Sequence, residues 1–269
     1  MSRLAAVFAK LEKDGRKALV PYIVAGDPMP ALTVPLMHEL VNKGADIIEI
    51  GVPFSDPMAE GPVIQLAHER ALAHKVTLTM VLELVAEFRN TDAATPVVLM
   101  GYANPIERMG YQNFADRASS AGVDGLLTVD MPPEEAEQAT QILRAAGIDN
   151  IFLLAPTTSD ERIQKVASLA SGYLYCVSLN GVTGAGHLNI AAVTEKLASI
   201  KRHTNLPITV GFGIKDGVSA AALAPLCEGV VVGSALIERI VATDPALKNT
   251  ERAANAAMLI AEIRAAIDA

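Results

Sequence analysis

Eight short apolar runs punctuate this chain at regular spacing, and they limit the folds open to it. They are residues 18–28 (ALVPYIVAGDP, running into a Gly-Asp-Pro turn), 47–50 (IIEI), 96–100 (PVVLM), 125–129 (GLLTV), 150–154 (NIFLL), 173–177 (YLYCV), 207–210 (PITV) and 229–232 (GVVV). Short apolar runs bounded by turn residues read as strands buried on both faces. Amphipathic stretches separate them. Met80, Val81, Leu84, Val85 and Phe88 line one face of 77–90. Residues 133–147 read as a helix with Glu134 and Glu135 in its first turn and Gly147 as terminator. Strands alternating with helices argue a parallel sheet closed as a (β/α)8 barrel in a single domain, 1–269. An open doubly wound sheet is the alternative, disfavoured because no GxGxxG follows the first strand.

An extra helix precedes the barrel, with Ser2 as cap, Leu4, Val7, Phe8 and Leu11 at helical spacing and Gly15 after it. Further helices are expected at 30–43, from Pro62, and at 250–269, where an alanine-rich segment closes the wall. The lead-ins KGADIIEIG (43–51) and SAGVDGLLTV (120–129) match, each placing Gly and Asp before a strand.

The net charge of −8 argues against nucleic acid or an anionic membrane as main partner. Charges run through the first 14 residues, and no apolar run nears the roughly 20 residues of a membrane span, so a cytoplasmic protein is expected. Cys176 and Cys227 lie in apolar runs and read as buried, reduced thiols. His38, His68, His74, His187 and His203 show no metal-ligand spacing and read as structural or surface groups, so no metal is expected.

Chemistry is expected where the strands end. Glu49 shares a strand face with Ile47, opposite Ile48 and Ile50, and a lone carboxylate in such a strand needs a reason. Glu60, on the exposed loop after it, makes a candidate acid/base pair with Glu49. Glycines in the last three loops, Gly184, Gly213 and Gly233, with Ser234 opening a helix, form a candidate phosphate cradle. Tyr173 reads as barrel packing. Tyr175 is nearer the working face and able to hydrogen-bond a carboxylate.

The motifs EIGVPFSDPMAEGPVIQ (49–65), PYIVAGDP (21–28), MGYANPI (100–106), SLNGVTGAG (178–186), GFGI (211–214) and GSALI (233–237) together resemble the tryptophan synthase α subunit family, in chain order and over nearly the whole length. The resemblance implies retro-aldol cleavage of indole-3-glycerol phosphate to indole and glyceraldehyde 3-phosphate. It implies catalytic roles for Glu49, Glu60 and Tyr175, and an indole pocket of Tyr22, Met100, Leu127, Val129, Leu153, Thr183 and Phe212. Thr183 would hold Glu60 when the loops close. It also implies a β-subunit partner in an α2β2 tetramer, met through the loop carrying Pro53, Asp56 and Met58 and the loop near 181–187. Pyridoxal phosphate is expected in that partner, with no cofactor in this chain. The chain departs from the family by Glu60 where Asp is usual, and by Leu179 where SRxGVTG has Arg. A catalytically impaired activating subunit, or another phosphate-sugar isomerase or epimerase, are the rival readings.

Overall fold

The computed structural model describes residues 2–177, 190–211 and 213–269. All eight expected strands are present: β1 Ala18–Val24, β2 Ile48–Gly51, β3 Val97–Gly101, β4 Gly125–Thr128, β5 Asp149–Leu154, β6 Leu174–Val177, β7 Ile208–Gly211 and β8 Gly229–Val232. Each pairs in parallel with the next, and β8 returns to β1, so the sheet is a closed barrel. The open-sheet alternative is excluded. Closure leaves no edge strand unpaired.

Alternation along the strands sorts side chains into two cores. Ala18, Val20, Tyr22, Ile47, Val98, Leu127, Ile151, Tyr173, Tyr175 and Val231 fill the barrel. Ile23, Ile48, Ile50, Leu99, Leu126, Leu174, Val210 and Val230 pack outward beneath the helices. The outer helices include α2 (Pro30–Asn42), α3 (Pro62–Ala73), α4 (Leu78–Arg89), α5 (Ala103–Met109) and α6 (Tyr111–Ala121), then α7 (Glu137–Ala145), α8 (Asp160–Leu169) and α9 (Ile190–Lys201). They end with α10 (Gly217–Leu223), α11 (Ser234–Val241) and α12 (Asn249–Ile267).

The extra helix, α1 (Arg3–Lys13), is capped by Ser2 and plugs the N-terminal end of the barrel. Its Leu4, Phe8 and Leu11 join the interior cluster, and Phe8 meets the Tyr173 ring at 5.8 Å. α12 closes the wall against α2, α10 and α11. One helix is shorter than its pattern. α7 starts at Glu137, so Glu134 and Glu135 precede it. Residues 133–135 form a turn instead, and Glu134 meets Arg162 at 3.2 Å.

The two matching lead-ins form one device used twice. Asp46 accepts from the Leu19 amide of β1 at 2.9 Å and from Arg264 of α12 at 3.0 Å. Asp124 accepts from the Val97 amide of β3 at 2.8 Å and from Arg89 of α4 at 2.7 Å. In each case a positive-φ glycine, Gly44 (101°) or Gly122 (86°), leaves room for the arginine stem, which a Cβ would strike. Asp124 also binds Arg3 of α1 at 2.8 Å, tying the plug to the barrel.

Both partners in the Asp124–Arg89 pair are nearly buried. Asp124→Ala is therefore expected to cost ~3 kcal/mol, because it removes the nearer carboxylate from a nearly buried guanidinium and leaves the Val97 amide without its acceptor. Urea unfolding measures this; a loss below ~1 kcal/mol would mean that the pair is not structural.

Candidate active site

Glu49 sits in the middle of β2, with Tyr22 of β1 and Val98 of β3 as its strand neighbours. Ile48 and Ile50 face the helices, so the Glu49 carboxyl faces the barrel interior, where it is fully buried. Tyr173 donates its hydroxyl to Oε1, and among the described residues Oε2 has no hydrogen-bond partner. Burial raises the Glu49 pKa from 4.5 to about 7, with the Tyr173 bond pulling it back. Near neutral pH such a group exists in both forms, and it can give and take a proton.

Glu60 ends the loop between β2 and α3. It is buried rather than exposed, because the loop folds down over Tyr102. The Tyr102 hydroxyl donates to Glu60 Oε2 and accepts from the Ala59 amide at 3.1 Å. Phe54 stacks on the Tyr102 ring at 4.9 Å. Burial raises the Glu60 pKa, opposed by the Tyr102 bond.

A cavity of about 680 Å³ opens at this end of the barrel. Tyr22, Met100, Leu153, Tyr175 and Val231 give it an apolar base. Residues 59–64, including Glu60, form one side. Gly213, Ile214 and Lys215 with Gly233, Ser234 and Ala235 form another, with Glu238 at the rim. Ser234 is the first residue of α11, so free helix-end amides lie on that side. The space suits a flat apolar ring joined to an anion, with a carboxyl beside it.

The family model described as tryptophan synthase alpha chain matches residues 8–267. The chain belongs to the tryptophan synthase alpha chain family. It is 56% identical over 269 residues to the tryptophan synthase alpha chain of Methylococcus capsulatus, and 58% identical over 268 residues to that of Thioalkalivibrio sulfidiphilus, covering 100% of all chains. It superposes on the tryptophan synthase subunit alpha of Legionella pneumophila with a TM-score of 0.92 at 47% identity, covering 100% of this chain and 99% of that one. A tryptophan synthase chain from M. tuberculosis, in an aminoacrylate-bound form, gives a TM-score of 0.87 at 33% identity, with 99% and 100% covered. The activity of the tryptophan synthase alpha chain is the lyase half-reaction, cleavage of indole-3-glycerol phosphate, and its family role implies a β-subunit partner.

Against that family pattern, Glu60, Tyr22, Met100, Leu153, Tyr175, Gly213, Gly233 and Ser234 all line the cavity. Glu49 lies within the barrel interior rather than on the cavity wall. Leu127 is packed in the barrel interior, and Val129 lines a second cavity of about 200 Å³ between the ends of β4 and β5. Neither borders the main cavity, although Met100 and Leu153 from the strands on either side of β4 do. Thr183, Gly184, His187 and Phe212 lie outside the described residues. Asp56 and Met58 are exposed, but Pro53 is buried and presents no face.

Among the described residues Tyr173 makes the carboxylate contact that Tyr175 is expected to be able to make, while Tyr175 lines the cavity. Tyr173, one residue before the strand, bonds Glu49, while the Tyr175 hydroxyl lies over Gly211, where a Cβ would be 1.8 Å away. Inward residues two apart differ in depth, and Glu49 is at the lower one. Three further residues join the site. Tyr102 follows the Gly101 strand end, the position from which it reaches Glu60. His68 falls with Ala67 and Ala71 on the buried face of α3, a spacing visible in the sequence. Lys215 reaches the cavity side beside Gly213. Both cysteines are buried and free, as expected.

The raised Glu49 pKa makes stability depend on pH. The folded chain holds this proton more tightly than the unfolded chain, so the Glu49 contribution to stability falls as pH rises from about 4.5 to about 7 and then levels. Glu49→Gln has no proton to lose, and its stability relative to wild type is expected to grow by ~3 kcal/mol between roughly pH 5 and pH 8. Urea midpoints at both pH values test this; a difference that does not change with pH would show that Glu49 is ionised at ordinary cost.

Proposed function

We propose that Glu49 and Glu60 divide the proton transfers of indole-3-glycerol phosphate cleavage. The reaction adds a proton to indole C3, breaks the bond from C3 to the glycerol carbon, and removes the proton of that carbon's hydroxyl, which becomes the aldehyde. Glu49 donates at C3 when protonated and accepts from the hydroxyl as the carboxylate, and its raised pKa suits both steps. Its Oε2, without a hydrogen-bond partner among the described residues, is the oxygen available for this, while Tyr173 holds Oε1. That orphan oxygen in a fully buried carboxyl carries the reading.

Glu60 accepts from the indole N–H and stabilises the charge that appears on the ring when C3 is protonated. Tyr102 holds it in the loop. Met100, Leu153 and Tyr175 flank the ring. The amides of Gly213, Gly233 and Ser234 and the α11 N-terminus hold the phosphate, with Gly184 and Thr183 expected to contribute from the neighbouring loop. The chain works as one barrel domain in the cytoplasm. It docks through Asp56 and Met58 on a β subunit carrying pyridoxal phosphate in an α2β2 assembly, and passes indole to it.

In single-turnover assays with the β subunit present, Glu49→Gln is expected to lower indole release by ~10³-fold or more, in the range of a lost acid/base group. A near-normal rate would remove Glu49 from the mechanism. Glu60→Asp keeps a carboxylate one methylene shorter and is expected to stay within ~10²-fold of wild type or above it, because a shift near 1 Å has about that effect. Glu60→Ala is expected to fall well below Glu60→Asp; equal rates for the two would deny the carboxylate a role.

A further inference from the structure

His68 stands on the inner face of α3 and is 1% exposed. Its Nδ1 lies 3.1 Å from the Phe54 backbone nitrogen. An amide N–H only donates, so Nδ1 accepts. Burial lowers the His68 pKa to about 4, so the ring is neutral at physiological pH and has one proton, which this contact assigns to Nε2. Nε2 lies 3.4 Å from the Tyr22 hydroxyl, a long hydrogen bond. In this tautomer Nε2–H donates and the Tyr22 oxygen accepts. Among the described residues the hydroxyl hydrogen of Tyr22 is therefore left for another acceptor.

The surroundings of Tyr22 say where that hydrogen can go. Tyr22 borders the main cavity. Its oxygen lies against β2 at Gly51, where a Cβ would be only 2.2 Å away, two residues beyond Glu49 on the same face. The other end of its ring reaches Gly233, at 3.5 Å from the position of a Cβ there. The hydroxyl thus sits on the side of the ring away from the anion cradle. Burial and the charges of Glu60 and Glu49 all raise its pKa, so it stays a neutral donor. Indole N–H offers no lone pair and the phosphate belongs with the cradle. The glycerol hydroxyl oxygens are the neutral acceptors left on the substrate.

We propose that the Tyr22 hydroxyl donates a hydrogen bond to the glycerol hydroxyls of the substrate, and that His68 is the positioning residue that aims it. This rests on the cavity being the substrate site. His68 also joins that contact to the loop carrying Glu60, because its other nitrogen holds the Phe54 amide, and Phe54 stacks on the tyrosine that holds Glu60.

Tyr22→Phe removes only the hydroxyl. His68→Asn keeps an acceptor where Nδ1 stands, for Phe54, and removes Nε2. Each is expected to lower kcat/KM for indole-3-glycerol phosphate by roughly three- to tenfold, the effect of one neutral hydrogen bond. The double variant is expected to lose about as much as either single one, since both changes remove the same contact. Binding of 3-(indol-3-yl)propyl phosphate, which lacks both glycerol hydroxyls, is expected to be unchanged in all three. Multiplying losses in the double variant, a Tyr22→Phe rate equal to wild type, or equal weakening of both ligands would each overturn the proposal. If wild type releases no indole, the lyase reading fails instead, and the dissociation constants of the two ligands still decide the part played by Tyr22.

Discussion

A carboxyl group enclosed in the middle of a closed sheet is the constraint around which this molecule is arranged. An ionised glutamate with no water near it is costly, so the barrel must supply a partner or keep the proton on. It does some of each. Tyr173 satisfies one oxygen of Glu49, and burial raises the affinity of the other for a proton. The group that results is poised near neutrality, and a reaction that both adds and removes protons at adjacent atoms needs such a group.

The two ends of the barrel treat their acids differently. At the N-terminal end Asp46 and Asp124 are matched by arginines and backbone amides, and α1 seals the opening. Those acids hold strands and helices in register. Glu49 inside the barrel and Glu60 at its C-terminal end have tyrosines as partners and no arginine or lysine bonded to them among the described residues. A tyrosine satisfies one lone pair without fixing the carboxylate in its charged form. The same carboxyl group is thus ion-paired to arginine in one setting and hydrogen-bonded to tyrosine in the other.

Much of this was legible in the chain. Eight apolar runs of strand length allow few arrangements other than a closed barrel, and each of them became a strand. The alternation in IIEI already turned Glu49 away from the helices. The repeated Gly and Asp lead-ins announced a repeated unit, and the structure supplies the arginines that complete it. Other features depend on depth and on distant contacts. Tyr173 and Tyr175 differ by one step along the barrel axis, and no local pattern states which step meets Glu49. Glu60 reads as exposed until Tyr102, some forty residues later, draws its loop inward. The start of α7 at Glu137 is not legible locally, because acidic residues after a proline resemble a first helical turn whether or not the helix has begun.

The sequence by itself determined the closed barrel, its inward and outward faces, the family and the identity of the two acids, because periodicity and motif spacing are local properties. Only the tertiary structure decided which tyrosine holds which acid, that Glu60 is buried, and that His68 reaches Tyr22. Those outcomes turn on side chains from separate strands meeting at one height in the barrel, and burial, which controls protonation, exists only once all the walls are in place.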